Sequence, residues 1–259
     1  MKMRNLMAAG LLAAVCAPSV GMAEGWIVSF GARISEQPPY EGAGHDVLAP
    51  SPKFTLRRAD SLYRFTPPDD GSSLSLLKNR YIDIGPVVRF RYARGNSDKL
   101  AGLDTVNWAA EPGVFVNLWP FNWLRGRVEA RRGVVGHDGF VGDGGVDLIY
   151  TGSRWEASAG PRVGFGDTNY MDAYFQVTPV EAARAPLINT VYNPVGGRRY
   201  TGAEAALSYR LAGGMRVIGD FGYHRLTHQL AASPIVAFAG SRDQFSGGLG
   251  VTYTFGIGH

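Results

Sequence analysis

One cysteine, Cys16, is all that 259 residues contain, and it falls in a leader-like start. The chain beyond it has no thiol, which excludes disulfides, thiolate metal centres and cysteine nucleophiles. Long apolar runs are absent too. The uncharged stretch Leu6–Val15 is too short for a bilayer-crossing helix, which needs roughly 20 residues, and no later segment approaches that length. A strong charge of one sign is also lacking. The formal charge is +4, and subtracting Lys2 and Arg4 leaves +2 for the remainder. That balance gives no case for a nucleic-acid partner.

The start reads as a secretory signal. Lys2 and Arg4 form a positive n-region, Leu6–Val15 is the apolar core, and Gly21-Met22-Ala23 offers small residues for cleavage. Residues 1–23 are therefore expected to be removed, Cys16 with them, leaving residues 24–259 as one domain. Val15 does not suit lipidation at Cys16. An exported chain of this length without a disulfide needs another source of order, and a closed barrel with every backbone group paired would supply it.

What is abundant is glycine, 35 residues, nearly twice the usual share of about 7%. With no collagen period, this suits tight turns and close strand packing. The dominant pattern has a period of two. Ile82, Ile84, Val88, Phe90 and Tyr92 alternate with Asp83, Arg89 and Arg91. Leu124, Val128 and Ala130 oppose Arg125, Arg127 and Glu129. Trp155, Ala157, Ala159, Val163 and Phe165 oppose Arg154, Glu156 and Arg162. Ala203, Ala205, Leu207 and Tyr209 oppose Glu204, Ser208 and Arg210. Met215, Val217, Phe221 and Tyr223 oppose Arg216, Asp220 and His224. The chain closes on Phe245, Leu249, Val251, Tyr253 and Phe255 against small and polar residues. Segments of about ten residues with one oily and one polar flank predict an all-β, antiparallel transmembrane barrel of about 12 strands. The strand count is open between Pro50 and Asn79.

Aromatic residues gather near strand ends, at Trp119, Phe121, Trp123, Tyr150 and Trp155, as in an interfacial girdle. Pro120-Phe121-Asn122, Thr151-Gly152-Ser153, Gly166-Asp167-Thr168 and Ala212-Gly213-Gly214 read as short turns. Gln37–Pro50, Pro67–Asn79, Gly95–Thr105, Gly136–Gly144 and Val177–Gly197 read as longer connections. Within the last, Thr178 as N-cap and Pro179 in the first turn predict a short helix through Arg184.

No catalytic, cofactor or metal set emerges. His45-Asp46, His137-Asp138 and Asp69-Asp70 read as exposed loop polarity. His224 and His228 do not share a helix face, and Ser233 has no visible base. Gly247-Gly248-Leu249-Gly250 lacks the helix of a phosphate loop. The best functional clue is the polar flank. Asp83, Arg89, Arg91, Arg125, Arg127, Glu129, Arg154, Glu156, Arg162, Glu204, Arg210, Arg216 and Asp220 are expected to face inward. They could form a paired network that fills a narrow lumen, or line a pore whose arginines favour anions.

Several stretches resemble the MipA/OmpV family of outer-membrane proteins. Pro39-Tyr40-Glu41-Gly42 with Ala49-Pro50-Ser51-Pro52 is similar to its early loop, and Gly85-Pro86-Val87-Val88-Arg89-Phe90-Arg91-Tyr92 to its central strand. Tyr170-Met171-Asp172-Ala173-Tyr174-Phe175-Gln176-Val177-Thr178 with Glu181-Ala182-Ala183, and Ala231-Ala232-Ser233-Pro234-Ile235-Val236 with Gly240 and Gln244, follow in the family's order. The family is named for a scaffold that binds a murein-degrading lytic transglycosylase. The resemblance implies a non-enzymatic protein of the Gram-negative outer membrane, without cofactor. Its implied partners are membrane lipid, the barrel-assembly machinery and a lytic transglycosylase or murein synthase. Gly250, Tyr253 and Phe255 would carry the assembly signal. A small-solute or anion-leaning channel is the alternative.

Overall fold

A computed structural model describes residues 25–258, so the leader expected over residues 1–23 lies outside the described residues. The chain forms one antiparallel sheet curled around a packed interior. Ten of its strands are long: β1 (Gly25–Gln37), β2 (Val47–Arg58), β5 (Ile82–Arg91), β6 (Ala109–Phe121), β7 (Leu124–Arg132), β8 (Phe140–Thr151), β9 (Trp155–Gly166), β10 (Gly197–Arg210), β11 (Met215–Leu226) and β12 (Asp243–Gly258). Two are only two residues each, β3 (Ser72–Ser73) and β4 (Leu77–Lys78), and both pair with β5. The unsettled region from Pro50 to Asn79 thus holds most of one long strand, β2, and these two short ones.

The period of two becomes the two faces of the wall. Trp26, Phe30, Phe90, Val128, Leu148, Leu207, Phe221 and Leu249 are exposed outward, while Asp83, Arg125, Arg127, Glu129, Asp147, Glu156 and Arg162 are buried inward. An apolar exterior over a charged interior is the arrangement a bilayer requires of a strand wall. Trp119 departs from the girdle expectation: it points inward and is 4% exposed. Phe121, Trp123, Tyr150 and Trp155 remain outside.

The connections segregate by length. The β6–β7, β8–β9 and β10–β11 turns are short and lie at the end where β1 begins and β12 finishes. At the opposite end the connections are long and carry four helices, α1 (Thr168–Phe175), α2 (Pro179–Arg184), α3 (His228–Ala232) and α4 (Pro234–Ala239). Gly166-Asp167-Thr168 is therefore no turn. Asp167 accepts from the Tyr170 N–H at 2.9 Å and caps α1. Thr178 and Glu181 form a reciprocal capping box on α2. These loops bury Leu103, Tyr170, Met171, Phe175, Ile188, Leu230 and Ile235 together. The result is an apolar lid over one end of the barrel. Among the described residues no helix is long and apolar enough to cross a membrane.

The wall is not sealed all round. The sheet runs from β2 through β1 and β12 to β5 and β3, and among the described residues no ladder joins β2 to β3, β4 or β5. Full backbone pairing, expected from the sequence, fails at this seam.

Candidate functional site: the plugged interior

The segment between β2 and β3 enters the barrel from the short-turn end. Phe65 packs there with Trp119, Ile149 and Ala206. The Arg64 guanidinium lies 4.0 Å over the Trp119 ring, a cation–π contact. Tyr63 donates to Glu156 at 3.0 Å, and Glu156 also pairs with Arg216. Further along, Asp69 receives Arg162 at 2.7 Å, and Asp70 receives both terminal nitrogens of Arg125 at 2.6 and 3.0 Å. Asp69 and Asp70 are thus the tip of a plug held by wall arginines, and not an exposed loop tip.

The wall arginines are held in turn. Arg125 and Arg162 share Asp147, at 2.7 Å each. Arg127 bonds Glu129 and Asn117, and Arg89 bonds Glu129 at 2.8 Å. Toward the lid, Arg131 joins Glu129, Glu111 and Asp143. Arg91 joins Glu111 and Glu41, and Arg199 joins Glu41 and Asp143. Arg33 pairs with Asp220 across the β1–β12–β11 wall. Arginine suits such a web because its planar fork grips two carboxylates at once.

Of the residues expected inside, Glu204 meets His224 at 3.1 Å, and Asp83 faces Asn117 at 3.4 Å. Arg210 is half exposed at a strand end. Arg154 is not inside at all: it stands in the β8–β9 turn and reaches the Tyr209 hydroxyl at 3.4 Å. His137, expected on an exposed loop, is buried. Its Nδ1 accepts from the Gly139 N–H, which leaves Nε2–H to donate to Glu111 at 3.0 Å. His45 and His228 are exposed, so no histidine pair forms with His224. Arg199 escaped the alternation because a bulge beside it turns both Arg199 and Tyr200 inward. Glu41, Glu111, Arg131, Asp143 and Asp147 complete the web and were not among the residues expected to matter. Gly250, Tyr253 and Phe255 lie in β12, with Tyr253 opposite Phe30 and Phe255 opposite Val28.

The lid is tied to the web. Arg94 is buried and donates to the carbonyls of Tyr174 and Asp104 at 3.1 Å. Burial pushes the Tyr174 phenol up to about 12, with Arg91 pulling the other way. Burial also works to raise the Glu181 carboxyl, but the N–H groups of Asp104 and Thr178 outweigh it and hold this group below the usual carboxylate range. Between lid, plug and wall lies a cavity of about 630 Å³. It is lined by β2 and β5 on either side of the seam and by the charged web within. Among the described residues, no cluster of three His, Cys, Asp or Glu could hold a metal ion.

Comparison with known structures returns outer-membrane proteins at low identity. An outer membrane channel from Pseudomonas putida F1 has 8% identity and a TM-score of 0.38, covering 92% of this chain and 97% of that one. The channel DcaP of Acinetobacter baumannii has 10% identity and a TM-score of 0.34, covering 90% and 96%. LpxR from Salmonella typhimurium has 10% identity and a TM-score of 0.35, covering 88% and 100%. No curated protein is significantly similar in sequence. The sequence pattern described as "MltA-interacting protein MipA" matches residues 28–255, from Val28 near the start of the first strand to Phe255 in the last. This chain, a charged and plugged β-barrel, belongs to the MipA family.

Proposed function

We propose that this protein is a non-conducting outer-membrane barrel whose short-turn face, directed to the periplasm, holds peptidoglycan-remodelling machinery. The observation that carries the non-conducting part is the plug. Asp69 and Asp70 reach the wall arginines, Phe65 and Trp119 pack below them, and an apolar lid covers the far end. A filled lumen favours a rigid platform over a conduit. The scaffold part rests on the family, described as interacting with MltA. Short turns at the chain-terminal end favour the periplasmic assignment of that face. The Ser233 hydroxyl donates to the Phe175 carbonyl at 2.7 Å, which favours a packing role for it over a nucleophile's. A cleaved leader over residues 1–23 and recognition of Gly250, Tyr253 and Phe255 by assembly machinery belong to the same reading.

Two measurements test it. Purified protein in a planar bilayer should give no stepwise conductance, whereas an anion-leaning channel would conduct and lose conductance on Arg89→Ala. A photo-crosslinking residue at Leu62, exposed on the short-turn face, should capture a lytic transglycosylase or murein synthase. Steady conductance, or a screen that returns no periplasmic partner, would refute the proposal.

A further inference from the structure

Among the described residues, the seam between β2 and β5 is where the wall lacks a ladder, and there interior and lipid could communicate through it. Its chemistry is built into the sequence. The Ala59 N–H bonds the Gly25 carbonyl, so odd-numbered residues of β2 turn their backbone groups toward β1. Even-numbered residues then turn theirs to the seam. Pro50 and Pro52 are even, so two seam positions carry no N–H. Proline is tolerated in a sheet at such a free edge. On the other side, the carbonyls of Ile82, Ile84 and Pro86 accept from the Asn79, Leu76 and Leu74 N–H groups of the β3–β4 segment. Above Val88, which pairs with Ser72, Phe90 pairs with Ala110 of β6, but no strand among the described residues covers its seam side.

An unpaired edge in hydrocarbon is costly unless its donors are removed or met. The prolines remove two of them. They also disfavour closure by an added strand or a second copy, because strand addition needs alternating donors. What suits the seam is a molecule that needs no backbone ladder.

The cavity behind it changes character with depth. Its mouth is apolar, with Pro50 and Pro52 on β2 facing Phe90 and Trp108, whose rings stand 6.4 Å apart. Its inner end is polar. Lys53 points inward from β2 and donates to the Pro68 carbonyl at 3.3 Å, and among the described residues no carboxylate lies within salt-bridge distance of it. Arg89, paired with Glu129, keeps 31% of its side chain exposed. The neighbouring arginines are already committed to acids, so among the described residues lining the cavity Lys53 is the cation left for a ligand. At about 630 Å³ the space matches ordinary small-molecule sites.

We infer that the β2–β5 seam admits an acyl-chain amphiphile with a carboxylate or phosphate headgroup from the surrounding leaflet, headgroup at Lys53 and Arg89, chain leaving between Pro52 and Phe90. The site is independent of the periplasmic scaffold role, so either can fail alone.

The probe is 11-dansylaminoundecanoic acid, titrated into the full barrel in nanodiscs of zwitterionic lipid, with the dansyl emission shift as readout. Saturable binding is expected. Lys53→Gln should weaken it about tenfold, Lys53→Arg should restore it, and Phe90→Asp at the mouth should weaken it without touching the headgroup site. Decanoate should compete; inorganic phosphate and decanol should not. Retained heat-modifiable gel mobility certifies that each variant is folded. Binding unchanged in folded Lys53→Gln, competition by free phosphate alone, or crosslinks showing β2 covered by a second copy would each overturn the inference.

Discussion

Arg125 is the residue on which the plug depends most. Its side chain is 2% exposed. It bonds Asp70 at 2.6 and 3.0 Å and Asp147 at 2.9 and 2.7 Å. Arg125→Ala strips two buried carboxylates of a partner at once. Breaking a buried ion pair from one side costs roughly 3–5 kcal/mol, because the charge left behind is uncompensated. Compensation here is partial. Asp147 keeps Arg162 at 2.7 Å, and Asp70 keeps Arg127 at 3.5 Å. The low end applies, about 3 kcal/mol. Since Asp70 lies on the plug and Asp147 on the wall, much of that loss falls on plug docking. At 1.4 kcal/mol per decade, the undocked plug should become roughly 100-fold more populated. Planar-bilayer recording reads this directly: wild type stays silent, and Arg125→Ala shows brief openings. Arg125→Lys, which keeps charge but loses the fork, should fall between. A silent Arg125→Ala barrel with unaltered denaturant resistance would show that the plug is held by something other than this web.

Other predictions follow from the same contacts. Trp119→Ala removes the surface beneath Arg64 and Phe65 and should cost about 3 kcal/mol, read as a lower urea midpoint for the folded gel band. A Cβ at Gly85 would sit 1.8 Å from the Leu74 carbonyl oxygen, so Gly85→Ala should peel the β3–β4 segment from β5 and speed hydrogen exchange at Leu74 and Leu76. Glu181 has a folded pKa below its unfolded value, so its contribution is present at neutral pH and lost as pH falls below about 4.3. Limited proteolysis of residues 177–196 should therefore accelerate on acidification, and Glu181→Gln should abolish most of that dependence. A lid equally resistant at both pH values would remove Glu181 from the account.

The wall was legible in the sequence because a strand between lipid and a polar interior writes its two faces into alternate residues. Tyr81 to Arg94 and Leu124 to Arg131 are cases in point. The α2 cap was legible because Thr178, Pro179 and Glu181 are local partners. The plug was not. Residues 61–71 have no period, and Asp69 and Asp70 find Arg162 and Arg125 about 93 and 55 positions away. A Pro-Pro-Asp-Asp-Gly run looks the same whether water or arginine receives it. Trp119 misled for a related reason: its outward neighbours belong to the girdle, but its own parity points in. The bulge at Arg199 defeated counting by two. The seam was written in Pro50 and Pro52, yet proline in a strand reads as a turn until the pairing is known.

The central claim is that alternate residues of each long strand meet hydrocarbon and a packed polar interior. With Cys16 in the predicted leader, single cysteines can be introduced at will. Spin labels at residues 203 to 208 of β10, in vesicles, test the claim most directly through their collision rates with oxygen and with a water-soluble nickel chelate. Positions 203, 205 and 207 should show high oxygen and low nickel accessibility, and positions 204, 206 and 208 should be shielded from both. Nickel reaching 203, 205 and 207 freely, or no alternation at all, would contradict the account.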